Sequence, residues 1–402
     1  MTSTTSSRAE DKDKQQEVVL PSQHGPAPAP DPDRAFSDDC EALQKKYHHN
    51  VIWLGIINFL SGLLIFVFHL INIEALVSMG LSAGLTVYVY NATESDAAFD
   101  GGVMSWTLLT FAVVTPLSAS IGMAFNRREL ALKYFKTFQS TLVQLYLAHA
   151  TWDWPKRREP ESGRMSSSSA VDWEKYADSI LDDMLSLIDE LRMYLLLPTS
   201  TRARHRVLPN GMKEAREIEE VSSRIHTSMI ARMGKFSKQC EFLKLQGLPG
   251  NEASRIRQWE QFIIDAIEGL RLVKSYRTPQ ALRSYSRILS VIVPPFFCPY
   301  YADLARSTGS LGLGIFYAIL TALALTGLFE CITQLEDPFF GHASLDGVNV
   351  EKELGPSVRD NLLALRRQNF PDAPPFQAQA KHAFSYSMAN EPGIDLVVLG
   401  MK

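Results

Sequence analysis

Residues 101–126 read GGVMSWTLLTFAVVTPLSASIGMAFN, and Arg127-Arg128 follow at once. Crossing the ~30 Å hydrocarbon core of a bilayer takes about 20 apolar residues at ~1.5 Å of rise each. This charge-free run is long enough. Within it Thr115, Ala119 and Met123 are spaced by four and share one helical face. Ser118 and Gly122 form a small-xxx-small pair beside that face, a pattern suited to close helix contact in lipid. Pro116 removes one backbone hydrogen bond and predicts a kink.

Two further stretches pass the same length test. Asn50–Ile73 holds one His and no formal charge, and Ser307–Phe329 is uncharged up to Glu330. Ile288–Ala302 is shorter and holds three prolines, so it must be broken or shielded by protein, because freed backbone groups cannot face lipid unpaired. Charge-free runs of this kind are rare in soluble helices. Ala75–Thr93 is also uncharged but rich in Gly and β-branched residues, and reads as an extended or partly inserted outer segment.

The charges divide along the same lines. The chain has 40 Lys+Arg and 44 Asp+Glu, a net charge of −4. Yet residues 51–126 carry no Lys or Arg, whereas residues 127–287 have a local balance of +7. Lys45 and Lys46 precede the first span, acids follow it (Glu94, Asp96, Asp100), and Arg127, Arg128, Lys133 and Lys136 follow the second. Arg283 and Arg287 precede the third. Positive charge gathers on the cytoplasmic side of membrane spans, which puts both termini and the 127–287 block there. Asn91-Ala92-Thr93 is a glycosylation sequon that would face outward.

The expected architecture is an all-α, multi-pass membrane protein with four transmembrane spans and a large helical cytosolic block. Its parts are an acidic, Pro-rich arm (1–47), a first membrane pair (48–126, with an outer segment 74–102) and the cytosolic block (127–287). A second membrane pair (288–333), a post-span turn and tail helix (334–368) and a loosely ordered tail (369–402) complete it. In the block, Leu130, Tyr134, Phe138, Leu142 and Leu145 make one helical stripe, with similar spacing in 172–197, 213–246 and 253–275. Loop signals fall at 155–169, 198–211 and 247–251. The +7 balance reads first as a solvated face, and would also attract anions or anionic lipid.

Catalysis has no footing. There is no Gly-rich phosphate loop, GxSxG or HExxH, so no enzyme is expected. The four cysteines are far apart, which predicts neither a disulfide framework nor a zinc site. His48-His49 reads as an interfacial pair, and Asp182-Asp183 with Asp189-Glu190 as a solvated polar face. Glu330, an acid at a span end, reads equally as a functional group or a cap.

Two segments resemble the bestrophin family. Thr115-Pro116-Leu117-Ser118-Ala119-Ser120-Ile121-Gly122-Met123 is similar to the pore-forming second span, with its Pro, a Ser two residues on and a Gly six after the Pro. Glu336-Asp337-Pro338-Phe339-Phe340-Gly341 is similar to the acid/Asn–Pro–Phe–Gly turn after the fourth span, with one extra Phe. The order of parts over 36–368 also fits. The resemblance implies a homopentamer carrying chloride, and bicarbonate as a second anion. It places Thr115, Ala119 and Met123 at the narrow neck, where the family carries bulkier apolar residues. Arg127 and Arg128 would draw anions to the inner end. The family's acidic calcium cluster is replaced by His342–Gly347 with one acid, so no cofactor, metal or calcium clasp is expected. The expected partners are copies of itself, membrane lipid and anions, with no nucleic acid. The rival function is a non-conducting membrane scaffold whose basic helices bind partners or lipid. A coupled transporter would show inverted repeats, and none is visible between 51–126 and 288–333.

Overall fold

The computed structural model describes residues 51–92, 107, 110–152, 171–339 and 347–377. The N-terminal arm, Lys45, Lys46, His48-His49, the acids 94–100, loop 155–169, segment 340–346 with Phe340 and Gly341, and the end of the tail lie outside these residues. Among the described residues there are helices and no strands. Two compact units divide at Val67 and Phe68.

The first unit holds helix α1, Val51–Ile65, which passes into a π-helical turn at Phe66–Leu70. The expected single span Asn50–Ile73 therefore ends early. The next helix, α2, runs Ile73–Ala92 and opens with Asn72 Oδ1 accepting from the Ala75 backbone N–H at 2.8 Å. An asparagine is a strong helix starter for this reason.

In the second unit the segment read as extended or partly inserted is helical over residues 75–92, as part of α2, which is long and apolar enough to cross a membrane. Its small residues are a packing surface. Ala75, Ser78, Ser82 and Thr86 are buried along one face. α2 packs on α8 (Gln280–Phe296), α9 (Cys298–Thr308) and α10 (Leu311–Glu336). On α10 the small residues Gly314, Ala318 and Ala322 are buried at a spacing of four. Small side chains let backbones approach where lipid supplies no hydrophobic drive. Periodicity of hydrophobicity cannot reveal such a face, because both sides are apolar or small.

α8 and α9 form the proline-bearing stretch, and it starts at Gln280 rather than near Ile288. Pro294 and Pro295 lie inside α8, and the helix breaks at Phe297. Pro295 has no N–H to give the Val291 carbonyl four residues back. Ser78 Oγ from α2 donates to that carbonyl at 2.9 Å. The backbone group freed by proline is thus satisfied by a neighbouring helix, as the hydrocarbon phase demands. α9 stops at Gly309, whose φ of 68° favours glycine, and α10 returns antiparallel.

The helical block is built on α3, Thr115–Thr151, which follows a π-helical turn at Thr110–Val114. Pro116 sits just after this turn, so wide π winding accommodates the missing N–H. α3 runs on past Arg127 without a break, about 55 Å at ~1.5 Å per residue. It packs on α10 and on α7 of the block. The block holds α4 (Trp173–Leu196), α5 (Ala203–Val207), α6 (Pro209–Leu245) and α7 (Gly250–Ser275). The predicted loop 198–211 is thus partly helical, with α6 beginning at Pro209, a favoured first helical residue. The core joins Phe135, Phe138, Leu142 and Leu145 to Met184, Phe236, Ile263 and their neighbours. Leu130 of the predicted stripe is exposed and Tyr134 packs at the core edge. Asp183 and Glu190 are not solvated. They bind Arg232 of α6 at 3.3 and 2.9 Å, and Asp183 also takes Lys235 at 2.9 Å. α11 (Val350–Leu354), a π turn at Gly355–Asp360 and α12 (Asn361–Asn369) strap back over the block through Arg366–Asp178 and Arg192–Glu351 pairs.

His149 lies in that core, fully buried, with Nδ1 2.8 Å from Tyr176 Oη. The phenol in turn donates to the Gln239 carbonyl at 3.3 Å. Burial drives the His149 pKa from 6.5 down to about 3. The unfolded chain thus binds the proton first, and stability falls as pH drops from about 6.5 toward 3, by about 1.4 kcal/mol per unit. Unfolding midpoints of the detergent-solubilised protein across this range are expected to show that slope, and His149→Gln to flatten it. Equal slopes for both proteins would contradict the assignment. At the α9–α10 turn, a Cβ on Gly314 would stand 2.6 Å from the Tyr301 carbonyl oxygen. Gly314→Val is expected to lower stability by about 1–3 kcal/mol, whereas Gly80→Ala, in open space, leaves the melting temperature unchanged.

Candidate functional site

α3 meets its neighbours with one face. Val113 from the preceding turn, Leu117, Ser120 and Ala124 are buried, clustered with Ala318 and Leu325 of α10 or aligned with them. Ser120 Oγ satisfies itself on the Pro116 carbonyl at 2.8 Å. The opposite face carries Thr115, Ser118, Ala119 and Gly122, all exposed, with Met123 half-buried at its edge. Nothing lies within 4 Å of a Cβ built on Gly122. The four-residue spacing read from the sequence thus lands on the outward side of the subunit. The residues are small and uncharged, so a surface of this kind can pass ions by wetting and does not hold them tightly.

The two arginines below this face differ. Arg127 donates to the backbone carbonyls of Val273 and Tyr276, where α7 ends. Those carbonyls lack helical partners, and a cation there is favourable. Arg127 is therefore committed to holding α7 on α3. Arg128 pairs with Glu129 at 2.7 Å and remains partly exposed.

The post-span turn is docked inside the subunit. Glu336 is 4 % exposed and accepts from Arg283 and from Thr278 Oγ1 at 3.0 Å, with Arg277 at 3.6 Å. Asp337 takes Lys274 Nζ at 3.3 Å and the Phe339 backbone N–H at 3.3 Å. Burial pushes the Lys274 ammonium below the usual lysine range, and Asp337 opposes this. The Pro338 carbonyl accepts from the Val348 N–H at 2.6 Å. Phe339 is fully buried, edge-on to Phe135 of α3 and beneath Lys274. The turn thus ties the end of α10 to α7 and α3. Glu330, nearly two helical turns before Glu336, accepts from Asn72 Nδ2 at 2.9 Å, which joins it to the start of α2. No group of three or more metal-ligating side chains occurs among the described residues.

Sequence reasoning missed Lys274, Arg277 and Arg283 as partners of this turn. Their signal was present: three basic residues within ten positions, just before an apolar run.

Neither a protein-family model nor a curated protein matches the sequence. Solved structures do. A bacterial bestrophin homologue from Klebsiella pneumoniae aligns at 14 % identity and a TM-score of 0.53, covering 73 % of this chain and 97 % of that one. A single-substitution variant of a Klebsiella pneumoniae bestrophin homologue aligns at 14 % and 0.52, with the same coverage. A further chain, described as a membrane protein, gives 12 % and 0.53 over 73 % of this chain and 97 % of its own. At these identities the likeness is one of fold, and the fold is bestrophin-like. The chain is an integral membrane protein, with α2, α8–α9 and α10 each long and apolar enough to cross a bilayer. The apolar helix Trp53–Phe68 is shorter.

Removing one partner of a buried ion pair leaves an uncompensated charge, at a cost of about 3–5 kcal/mol. Asp337→Ala is expected to destabilise the solubilised protein by that amount, and Lys274→Met combined with Asp337→Leu to recover most of it. Additive losses in the double variant would show that the two groups do not act as a pair.

Proposed function

We propose that the protein is a passive anion channel, carrying chloride and also bicarbonate through the centre of a ring of identical subunits. The observation that carries this reading is the outward face of α3: Thr115 and Ala119 are exposed along one side of the helix at a spacing of four, with Met123 half-buried at its edge. One subunit offers one such face, so a pore needs several copies around an axis, and closed symmetry is the general solution. The bestrophin-like fold supports a pentamer. Ser118 and Gly122, beside the pore face, supply the small surface on which the neighbouring copy packs. Both termini and the helical block lie on the cytoplasmic side. Anion preference comes from the +7 block beyond the inner end of α3, and not from a charged ring at the neck.

Purified protein reconstituted into liposomes is expected to give anion currents. Ala119→Phe narrows the neck and is expected to reduce them several-fold, Met123→Ala to alter conductance or ion preference, and Leu81→Ala, on the exposed side of α2, to leave them unchanged. Silent bilayers across pH and calcium, with folded protein confirmed, would overturn the reading in favour of a non-conducting scaffold.

A further inference from the structure

The start of α2, the start of α8 and the end of α10 gather their charged residues around one cavity of about 500 Å³. Five arginines line it: Arg202, Arg204, Arg277, Arg283 and Arg287. Four acids line it too, but each has a donor of its own. Glu74 takes Arg287, with Nε at 2.9 Å. Glu330 takes Asn72, Glu336 takes Arg283 and Thr278, and Asp337 takes Lys274. Arg204 reaches outward to Glu214 at 3.1 Å.

Two guanidinium groups are left over. Arg277 has only 9 % of its side chain exposed, and its one acid contact, Glu336 Oε2, is 3.6 Å away, beyond hydrogen-bond reach, while Arg283 and Thr278 bond the other oxygen of that carboxylate. Its Nε is buried with no hydrogen-bond partner. A buried, unsatisfied donor on a charged group carries a large desolvation penalty. Arg202, half-buried, makes no side-chain ion pair among the described residues. The cations also crowd one another. Arg202 and Arg283 both act against the charge on Arg277, and Arg202 and Arg277 both act against that on Lys274. Burial is the main cause that holds the Arg277 guanidinium below the usual arginine range, with Glu336 opposing it and the neighbouring arginines adding to it. Together these features describe a preformed, positively biased cavity with open donors.

We propose that this cavity binds a phosphate group, held by the Arg277 and Arg202 guanidiniums. A guanidinium presents a planar fork of donors that matches two phosphate oxygens at once. The volume accommodates a multi-oxygen anion with its immediate substituent, well beyond the size of a halide. The cavity also sits where three apolar helices give way to charge, the depth at which phospholipid headgroups lie. The phosphate therefore comes either from a lipid headgroup or from solution. The site is separate from the exposed face of α3 and does not depend on conduction.

The test uses full-length protein and two arms. In neutral detergent, the melting midpoint is followed against inorganic phosphate, with sodium chloride at matched ionic strength as the baseline. In phosphatidylcholine nanodiscs, it is followed with and without phosphatidic acid. A rise in the first arm identifies a soluble phosphate ligand, and a rise confined to the second identifies a headgroup. Either outcome supports the site. Arg202→Gln is expected to weaken the response about tenfold in apparent dissociation constant, and Arg277→Gln to abolish it, whereas Arg255→Gln, exposed on α7, responds like wild type. Arg202 has no internal ion pair to lose, so its variant keeps the test open should Arg277→Gln fail to fold. No shift in either arm, or an unchanged response in Arg202→Gln, would overturn the proposal.

Discussion

The buried charge junction between the end of α10 and the α7–α8 link is the constraint on which the rest depends. Lipid tails are as apolar as leucine, so hydrophobic burial cannot hold the spanning helices to one another. Two other forces do so. Small residues on α2 and α10 let the backbones close up within the hydrocarbon. At the charged end, the buried Glu336 and Asp337 take Arg283, Thr278 and Lys274. Ions removed from water are costly alone and strongly coupled when paired. The end of α10 is therefore fixed relative to α7, and Phe339 follows into contact with Phe135 of α3. That contact, with Arg127 on the α7 carbonyls, sets the rotation of α3 about its own axis. The rotation decides which residues face outward.

Much of this was legible in the sequence. Charge-free runs flanked by arginine announced a helical membrane protein, and the Pro–Ser–Gly spacing of 116–122 announced a face that the structure leaves exposed. The prolines of 288–302 required shielding, and Ser78 provides it. Other parts could not be read locally. Ala75–Thr93 read as extended or partly inserted because its glycines and β-branched residues are poor helix formers in water. In the bundle, the need to satisfy every backbone group and the fit of small side chains override that propensity. Asp183 and Glu190 looked solvated because their partners are about fifty residues away, on α6. Arg127 read as an anion attractor, and only the position of the α7 terminus shows that its two terminal nitrogens hold carbonyls there.

The continuity of α3 has a mechanical consequence. One helix carries the exposed Thr115–Met123 face at one end and the core residues Phe138, Leu142 and Leu145 at the other. Packed interiors resist continuous deformation, so a shift of the block's core is transmitted along the helix as a rigid displacement. The exposed face and the block are thus one mechanical element, and the charged cavity is lined by the ends of the spanning helices α2, α8 and α10.

Direct imaging of the purified assembly at side-chain resolution decides the central claim. The account predicts a symmetric ring, five-fold by its bestrophin-like fold, with the Thr115, Ala119 and Met123 side of each α3 turned to a continuous axial passage. A monomer or dimer, or a ring in which that side of the helix faces hydrocarbon and the axis is closed by other elements, would contradict it.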